Sequence, residues 1–229
     1  MMPWQKNERM VHFFQKLREP VSGLTHLAAV FLSLEALIVL EQYAVTSGTV
    51  WHIVSFAIYG ASLILLYCAS AMYHLLTLSS HSLTILRRID HAMIFILIAG
   101  TYTPVCLLPL RGIWGWSLFG VVWSMALAGI VQALFWIHAP RWLSTTLYLI
   151  MGWLVIAAFY PLVLSIPMNG IIWFILGGLC YTGGAIIYAL KKPDLFPGVF
   201  GFHELWHLLV IAGSFCHFWA IYQYISPII

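Results

Sequence analysis

The fold of this protein is decided by residues 142–190, which read WLSTTLYLIMGWLVIAAFYPLVLSIPMNGIIWFILGGLCYTGGAIIYAL. This stretch contains no Asp, Glu, Lys or Arg. At about 20 residues per bilayer crossing, it is long enough for two membrane-spanning helices. The turn residues of segment 165–170, Ser-Ile-Pro-Met-Asn-Gly, divide it into helices near 142–164 and 171–190. The sequence therefore predicts a helical hairpin inside a membrane.

The rest of the 229-residue chain has the same apolar character. Hydrophobic residues make up 62% of the sequence and charged residues 7%, whereas a soluble domain has about 25% charged residues. Soluble folds are excluded because so few polar side chains cannot cover a water-facing surface. The net charge of +3 is small and the basic residues are scattered in short groups, so nucleic acid is not expected as a partner.

Charged residues are costly in hydrocarbon and therefore mark the ends of the other spans. With the hairpin, these spans predict an all-α membrane protein, a seven-transmembrane helix bundle over residues 20–229. Residues 1–19 form a preceding cytoplasmic tail, in which apolar residues alternate with Lys16 and Arg18. That alternation predicts a short amphipathic segment on the membrane surface. The remaining predicted helices lie near 20–42, 51–75, 90–109, 113–137 and 203–226.

The basic residues predict the orientation of this bundle. With seven helices, alternate connections lie on opposite sides of the membrane, and one side then holds only Arg111. By the positive-inside rule the N-terminus is cytoplasmic and the C-terminus external. The basic residues on the cytoplasmic side are Lys6, Arg9, Lys16, Arg18, Arg87, Arg88, Arg141, Lys191 and Lys192.

The predicted topology brings four ionisable residues to one membrane depth. His74 ends the second helix on the cytoplasmic side, Asp90 begins the third, and His203 and His207 begin the seventh. His203 and His207 are spaced i, i+4 and share a helix face. Three nitrogens and a water are a common catalytic zinc coordination. The alternative is a set of interfacial histidines bonded to lipid phosphate or backbone; the third histidine at matching depth favours the metal site.

Residues 203–207 also match HExxH, the zinc metalloprotease motif in which Glu204 would be the general base. The downstream third ligand of such proteases is missing. Gly213 stands where a metzincin has a histidine, and no acidic residue follows Glu204. We therefore interpret the HExxH match as incidental and His74 as the third ligand.

Two further residues are candidates for catalysis. Ser70 precedes His74 by one turn, so its hydroxyl can donate to a metal-bound water or a substrate carbonyl; alternatively, it is a small residue that eases helix packing. Asp90 can accept a proton from metal-bound water; alternatively, it pairs with Arg87 or Arg88 at the interface.

The other histidines have lesser expected roles. His26, near the inner end of the first helix, is expected to support the site without binding metal. His217 lies ten residues beyond His207, about 15 Å along the helix, and cannot share its metal. His52 falls in a connection and is expected to be solvated.

Taken together, these motifs resemble the hemolysin III branch of the progestin and adipoQ receptor (PAQR) superfamily. Each piece is weakly specific alone, but their order along nearly the whole chain makes the combination highly specific. The matching pieces are Glu19-Pro-Val-Ser-Gly-Leu-Thr-His26, Ser70-Ala-Met-Tyr-His74, Arg88-Ile-Asp90-His91, Gly100-Thr-Tyr-Thr-Pro104, His203-Glu-Leu-Trp-His207 and Cys216-His217-Phe218.

The resemblance implies a seven-helix bundle in a bacterial inner membrane with a zinc ion near the cytoplasmic leaflet. It implies His74, His203 and His207 as zinc ligands, with Asp90 touching the zinc through water and Ser70 nearby. The superfamily is similar to alkaline ceramidases, which implies metal-assisted hydrolysis of a lipid amide or ester, with membrane lipid as the substrate or ligand.

Two other hypotheses remain open at the sequence level. One is a non-catalytic membrane sensor or regulator of lipid state, in which zinc holds the second and seventh helices in register. The other is the pore-forming, cytolytic activity implied by the family name. We rank the pore last because the sequence offers no charged stripe that would line a channel.

Overall fold

The computed structural model describes residues 17–136, 139–197 and 199–228, which are helical apart from short connections. A 3-10 segment, Leu154–Ala158, joins the helices Arg141–Trp153 and Phe159–Ser165 into one interrupted helix, and a π turn, Ile221–Ile225, extends the last helix, Phe202–Ala220. The described residues thus form seven helical runs, and the all-α fold is confirmed. The helices are α1 (Pro20–Ser47), α2 (Val50–Leu75), α3 (Ser80–Leu107), α4 (Ile113–Phe135), α5 (Arg141–Trp153), α6 (Phe159–Ser165), α7 (Met168–Leu190) and α8 (Phe202–Ala220).

Six of the seven runs in these described ranges are long and apolar enough to cross a membrane. The remaining run, α3, carries Arg87, Arg88 and Asp90 in its first half. Large apolar side chains such as Phe31 and Phe135 are exposed on the outer surface, while many serines and histidines are buried inside. This arrangement is the reverse of a soluble protein and suits an outer surface in contact with lipid. The chain is a multi-pass integral membrane protein.

The helices pack in a closed ring. Each of α1, α2 and α3 packs against the next helix along the chain, α7 packs against α8, and α8 returns to contact α1. Gly23 permits a close approach of α1 and α2, since a Cβ there would lie 2.4 Å from Leu75 Cγ. The start of α1, the end of α2 and the start of α8 therefore meet at one end of the bundle, here called the histidine end.

The largest departure from the predicted helix boundaries is the start of α3. It was expected near residue 90 and instead begins at Ser80, where the Ser79 hydroxyl accepts a hydrogen bond from the Ser82 N–H. Charges mark the edge of the hydrocarbon region and not the end of a helix, so α3 continues past Arg87 and Arg88. The amphipathic segment predicted within residues 1–19 lies almost entirely outside the described residues.

Candidate metal centre and adjoining cavities

Three histidine side chains from α2 and α8 meet at the histidine end. One nitrogen from each of His74, His203 and His207 lies within 4.8 Å of the other two. The Nε2 atoms of His203 and His74 are 3.4 Å apart. Two nitrogens bound tetrahedrally to zinc, each about 2.0 Å from the ion, lie about 3.3 Å apart. The cluster therefore has dimensions that suit a single metal ion.

The first turn of α8 positions two of these histidines. His203 and His207 lie on successive turns, and Glu204 between them caps the helix, since its Oε2 accepts a hydrogen bond from the Gly201 N–H at 2.8 Å. Glu204 Oε1 accepts a second hydrogen bond from the Ser22 hydroxyl at 2.8 Å. Both carboxylate oxygens of Glu204 accept hydrogen bonds that hold the start of α8 in place. This supports the interpretation that the HExxH match is incidental.

The first residues of α1 hold two of the histidines through their Nδ1 atoms. His74 Nδ1 is hydrogen-bonded to the Glu19 carboxylate, and the Glu19 N–H donates to the His74 carbonyl at 3.0 Å. His207 Nδ1 donates to the Ser22 carbonyl at 3.2 Å. A protonated Nδ1 leaves Nε2 with a free lone pair, which is the tautomer that a metal ligand requires.

The donor set fits a metal ion. His207 is only 1% exposed, and among the described residues its Nε2 has no hydrogen-bond partner. A buried acceptor without a partner is unfavourable, and a cation held between the three rings would satisfy it. The carboxylate behind His74 is a common companion of metal-bound histidine.

Glu19 is a functional residue that the sequence motifs indicated only as the first residue of the segment Glu19–His26. The hydrogen bond from His74 lowers the pKa of the Glu19 carboxyl, and the neighbouring Arg18 adds to this effect. Glu19 is thus held as a carboxylate acceptor. In the sequence, the spacing of three residues between Glu19 and Ser22 could have indicated a shared role, because it places both residues on one side of a helical turn.

Ser70 and Asp90 line an apolar cavity of about 130 Å³ that extends into the bundle beside the histidines. Asp90 is 5% exposed, and its Oδ2 lies 3.5 Å from His91 Nδ1. Within the described ranges, neither Arg87 nor Arg88 is close enough to Asp90 to form an ion pair. The alternative of a simple Asp–Arg pair is therefore not found.

A second and more polar cavity, of about 460 Å³, lies at the histidine end and is lined by His74 and His203. Asp90 and Trp206 line both this polar cavity and the apolar cavity. The two spaces therefore adjoin at these side chains, next to the histidine cluster. Such a junction suits an amphiphile, with its head group in the polar cavity and its chain in the apolar one.

Three further histidines outside the cluster have supporting or structural contacts. His26 stacks on His207 with ring centroids 3.7 Å apart and interplanar angle 9°, so it buttresses the cluster. His217 lies apart, and its Nε2 donates to the Phe174 carbonyl at 3.3 Å. The expectation that His52 is solvated is wrong, because it is 1% exposed and its Nδ1 accepts from the Thr49 N–H at the start of α2.

Comparison with known proteins connects this geometry to a family. The model of the family described as "Haemolysin-III related" matches residues 14–218. The Hemolysin-3 homolog of Bacillus subtilis (strain 168) is 42% identical over 208 residues, covering 90% of this chain and 93% of that protein. Hemolysin-3 of Bacillus cereus is 36% identical over 224 residues, covering 96% and 98%.

A more distant relative extends the comparison. The human monocyte to macrophage differentiation factor is 27% identical over 186 residues, covering 78% of this chain and 74% of that protein. This likeness fits the wider PAQR superfamily, as the sequence motifs implied. With a family model that spans most of its length, this chain belongs to the haemolysin-III related family.

Proposed function

We propose that this protein is a zinc-dependent, ceramidase-like hydrolase of a lipid amide or ester that serves membrane lipid homeostasis. The observation that carries the proposal is the position of the histidine cluster beside Asp90, where the polar and apolar cavities adjoin. In this proposal all seven helical runs, including α3, cross the plasma (inner) membrane. The N-terminus is cytoplasmic and the C-terminus is external. The apolar cavity receives the acyl chain.

Five residues have a role in the proposed reaction. His74, His203 and His207 would hold the zinc, and the Nδ1 partners of His74 and His207 leave the Nε2 lone pairs of these two histidines free. Zinc held by these residues would polarise a substrate carbonyl and make a water molecule more acidic. Asp90 takes the proton of the attacking water on a carboxylate oxygen and passes it to the leaving nitrogen or oxygen. The Ser70 hydroxyl donates to the carbonyl oxygen as negative charge develops on it.

A second candidate is the non-catalytic sensor of lipid state, and one observation favours it. α1 packs against both α2 and α8, and its first residues contact His74 and His207. A metal ion bound by those histidines would fasten α2 to α8 across the start of α1. In that case a lipid in the apolar cavity would change the packing of the helices and would not itself be cleaved.

The two candidates are separated by measuring metal content and lipid turnover in detergent-purified wild type and Asp90→Asn. A hydrolase is expected to hold about one zinc per chain in both proteins. Wild type should release product from a fluorescent ceramide or phospholipid, and Asp90→Asn should be slower by about 10²–10⁴-fold. A sensor should hold the same zinc and release no product in either protein. A wild type that takes up no metal after zinc reconstitution would contradict both candidates.

A further inference from the structure

The polar cavity contains two cations that, among the described residues, form no ion pair with the surrounding acids. Arg87 and Arg88 line this cavity together with Glu19, Asp90 and Glu204. In the part of the chain that the structure describes, neither arginine forms an ion pair. The cavity therefore has positive charge available to a ligand.

The three carboxylates of the cavity are each committed to other groups. Their partners are His74 and Arg18 for Glu19, His91 for Asp90, and Ser22 and Gly201 for Glu204. These contacts hold the histidine cluster and the first turn of α8. These acids are thus directed to the candidate metal centre and its surroundings, and within the described residues none of them forms an ion pair with the arginines of α3.

One hydrogen bond holds the Arg88 guanidinium in place, and at least one of its other N–H groups has no partner among the described residues. Its Nη1 donates to the Leu134 carbonyl of α4 at 3.1 Å, so the guanidinium is fastened to the cavity wall between α3 and α4. Its Nε is buried and, among the described residues, has no hydrogen-bond partner. A buried N–H without an acceptor is unfavourable, and an anionic oxygen in the cavity would supply one. Arg87, the adjacent residue, is exposed and adds a second positive charge.

We propose that Arg88, assisted by Arg87, binds the phosphate of a lipid head group in the polar cavity. This proposal rests on the proposed function and narrows its substrates to phosphate-bearing lipids, such as phospholipids or phosphorylated sphingolipids. A guanidinium matches phosphate oxygens with paired, charge-assisted hydrogen bonds. With the phosphate at Arg88 and the chain in the apolar cavity, the amide or ester bond lies between them, at the junction that Asp90 lines.

The proposal is tested by ligand binding, which needs no turnover. The probes are dihexanoyl phosphatidic acid, dihexanoylglycerol as its neutral counterpart, and inorganic phosphate, each added in a neutral detergent. Trp136 and Trp206 line the polar cavity, so their fluorescence reports occupancy. Wild type should bind the phosphatidic acid at least about tenfold more tightly than the neutral lipid. Inorganic phosphate, which lacks the chains, should compete only weakly.

The variants assign that preference to residues. Arg88→Gln should weaken phosphatidic acid binding by about tenfold or more and leave dihexanoylglycerol unchanged. Arg87→Gln should weaken it by about two- to fivefold, because the side chain is exposed. Since Arg88 also joins α3 to α4, Arg87→Gln keeps the proposal testable if Arg88→Gln fails to fold. Lys191→Gln is the matched control, because it removes an exposed cation that directly follows α7 and lines neither cavity.

Four results would overturn the proposal. The first is equal binding of the two lipids by wild type, and the second is unchanged phosphatidic acid binding in the arginine variants. The third is an equal loss in Lys191→Gln, which would show a general effect of charge. If inorganic phosphate binds as tightly as phosphatidic acid, the site takes free phosphate and the lipid assignment is wrong. A protein that binds phosphatidic acid as expected but releases no product would instead contradict the hydrolase function alone.

Discussion

His207 and His217 lie on the same helix, but their surroundings differ. His207 meets two other histidines from α2 and α8, and its Nδ1 is held by the Ser22 carbonyl. His217 donates to a backbone carbonyl of α7, and its ring occupies the space that a Cβ on Gly177 would need, 2.3 Å from its Cδ2. The described residues contain no second cluster of possible metal ligands around His217. A buried histidine in this bundle is thus placed to bind metal only where another helix supplies further donors.

The largest expected effect is on metal content, when a histidine of the cluster is removed and the result is compared with removal of His217. His207→Ala and His74→Ala should each lose nearly all bound metal, because two remaining nitrogens do not hold zinc tightly. His217→Ala should retain about one metal ion per chain, the content expected of wild type. Elemental analysis of the purified proteins measures both. Metal retained in His207→Ala, or lost in His217→Ala, would show that the two histidines do not differ in the way that their contacts indicate.

The next effect tests the partners behind the cluster. Glu19→Gln should weaken metal binding by about 10–100-fold, because the carboxylate that orients His74 is replaced by a neutral amide. Glu35→Gln on the same helix is the control, since Glu35 is exposed and lies away from the cluster in the sequence. Competition with a chromogenic chelator measures the affinity. Equal affinity in the two variants would mean that the Glu19 contact does not orient His74 for metal binding.

Glu204 offers a smaller effect that separates a helix cap from a general base. Glu204→Ala removes the bonds to Ser22 and Gly201 and should lower the free energy of unfolding by about 1–2 kcal/mol. Metal content should be unchanged, and lipid turnover should fall by less than about tenfold, because Asp90 carries the proton in the proposed reaction. Thermal unfolding and a turnover assay provide the two readouts. A fall in turnover of about 10²–10⁴-fold with metal retained would instead make Glu204 the base.

The meeting of the three histidines could be predicted from the sequence because it depends on features that hydropathy encodes. Charges and turn residues give the order of the helices along the chain. This order decides which helix ends lie on the same side of the membrane. The i, i+4 spacing of His203 and His207 then fixes their common face. The structure brings these side chains together with His74, while their binding of zinc stays a prediction.

The contacts made by Glu19 and Ser22 could not be predicted in the same way. They require α1 to pack against α2 and α8 at once, and the order of helices around the ring is set by side-chain packing that hydropathy does not record. The start of α3 was missed for a related reason. Arg87 and Arg88 lie in a part of the helix that extends beyond the charge-free span, so charge alone misplaced its boundary.

The smallest expected effect lies one turn before His217, in a polar cluster about two helical turns from His207 along α8. The Ser214 hydroxyl accepts a hydrogen bond from Tyr67 at 2.7 Å and shares another with Tyr181 at 2.8 Å. Ser214→Ala should lower the free energy of unfolding by about 1 kcal/mol, since hydrogen bonds between membrane helices contribute about 0.6 kcal/mol each. Metal content should not change.

Ser33→Ala is the matched control for Ser214→Ala. Ser33 is also buried, but among the described residues its hydroxyl bonds only to the Ala29 carbonyl of its own helix at 2.7 Å, so little change in stability is expected. Unfolding in a titration with denaturing detergent compares the two variants. Equal stability would mean that the Ser214 cluster adds nothing to the packing of α2, α7 and α8. Among the described residues, the hydrogen-bond partners of the Ser214 hydroxyl are Tyr67 and Tyr181 and not a ligand of the candidate metal centre. Loss of metal in Ser214→Ala would therefore show that the Ser214 cluster and the histidine end are coupled.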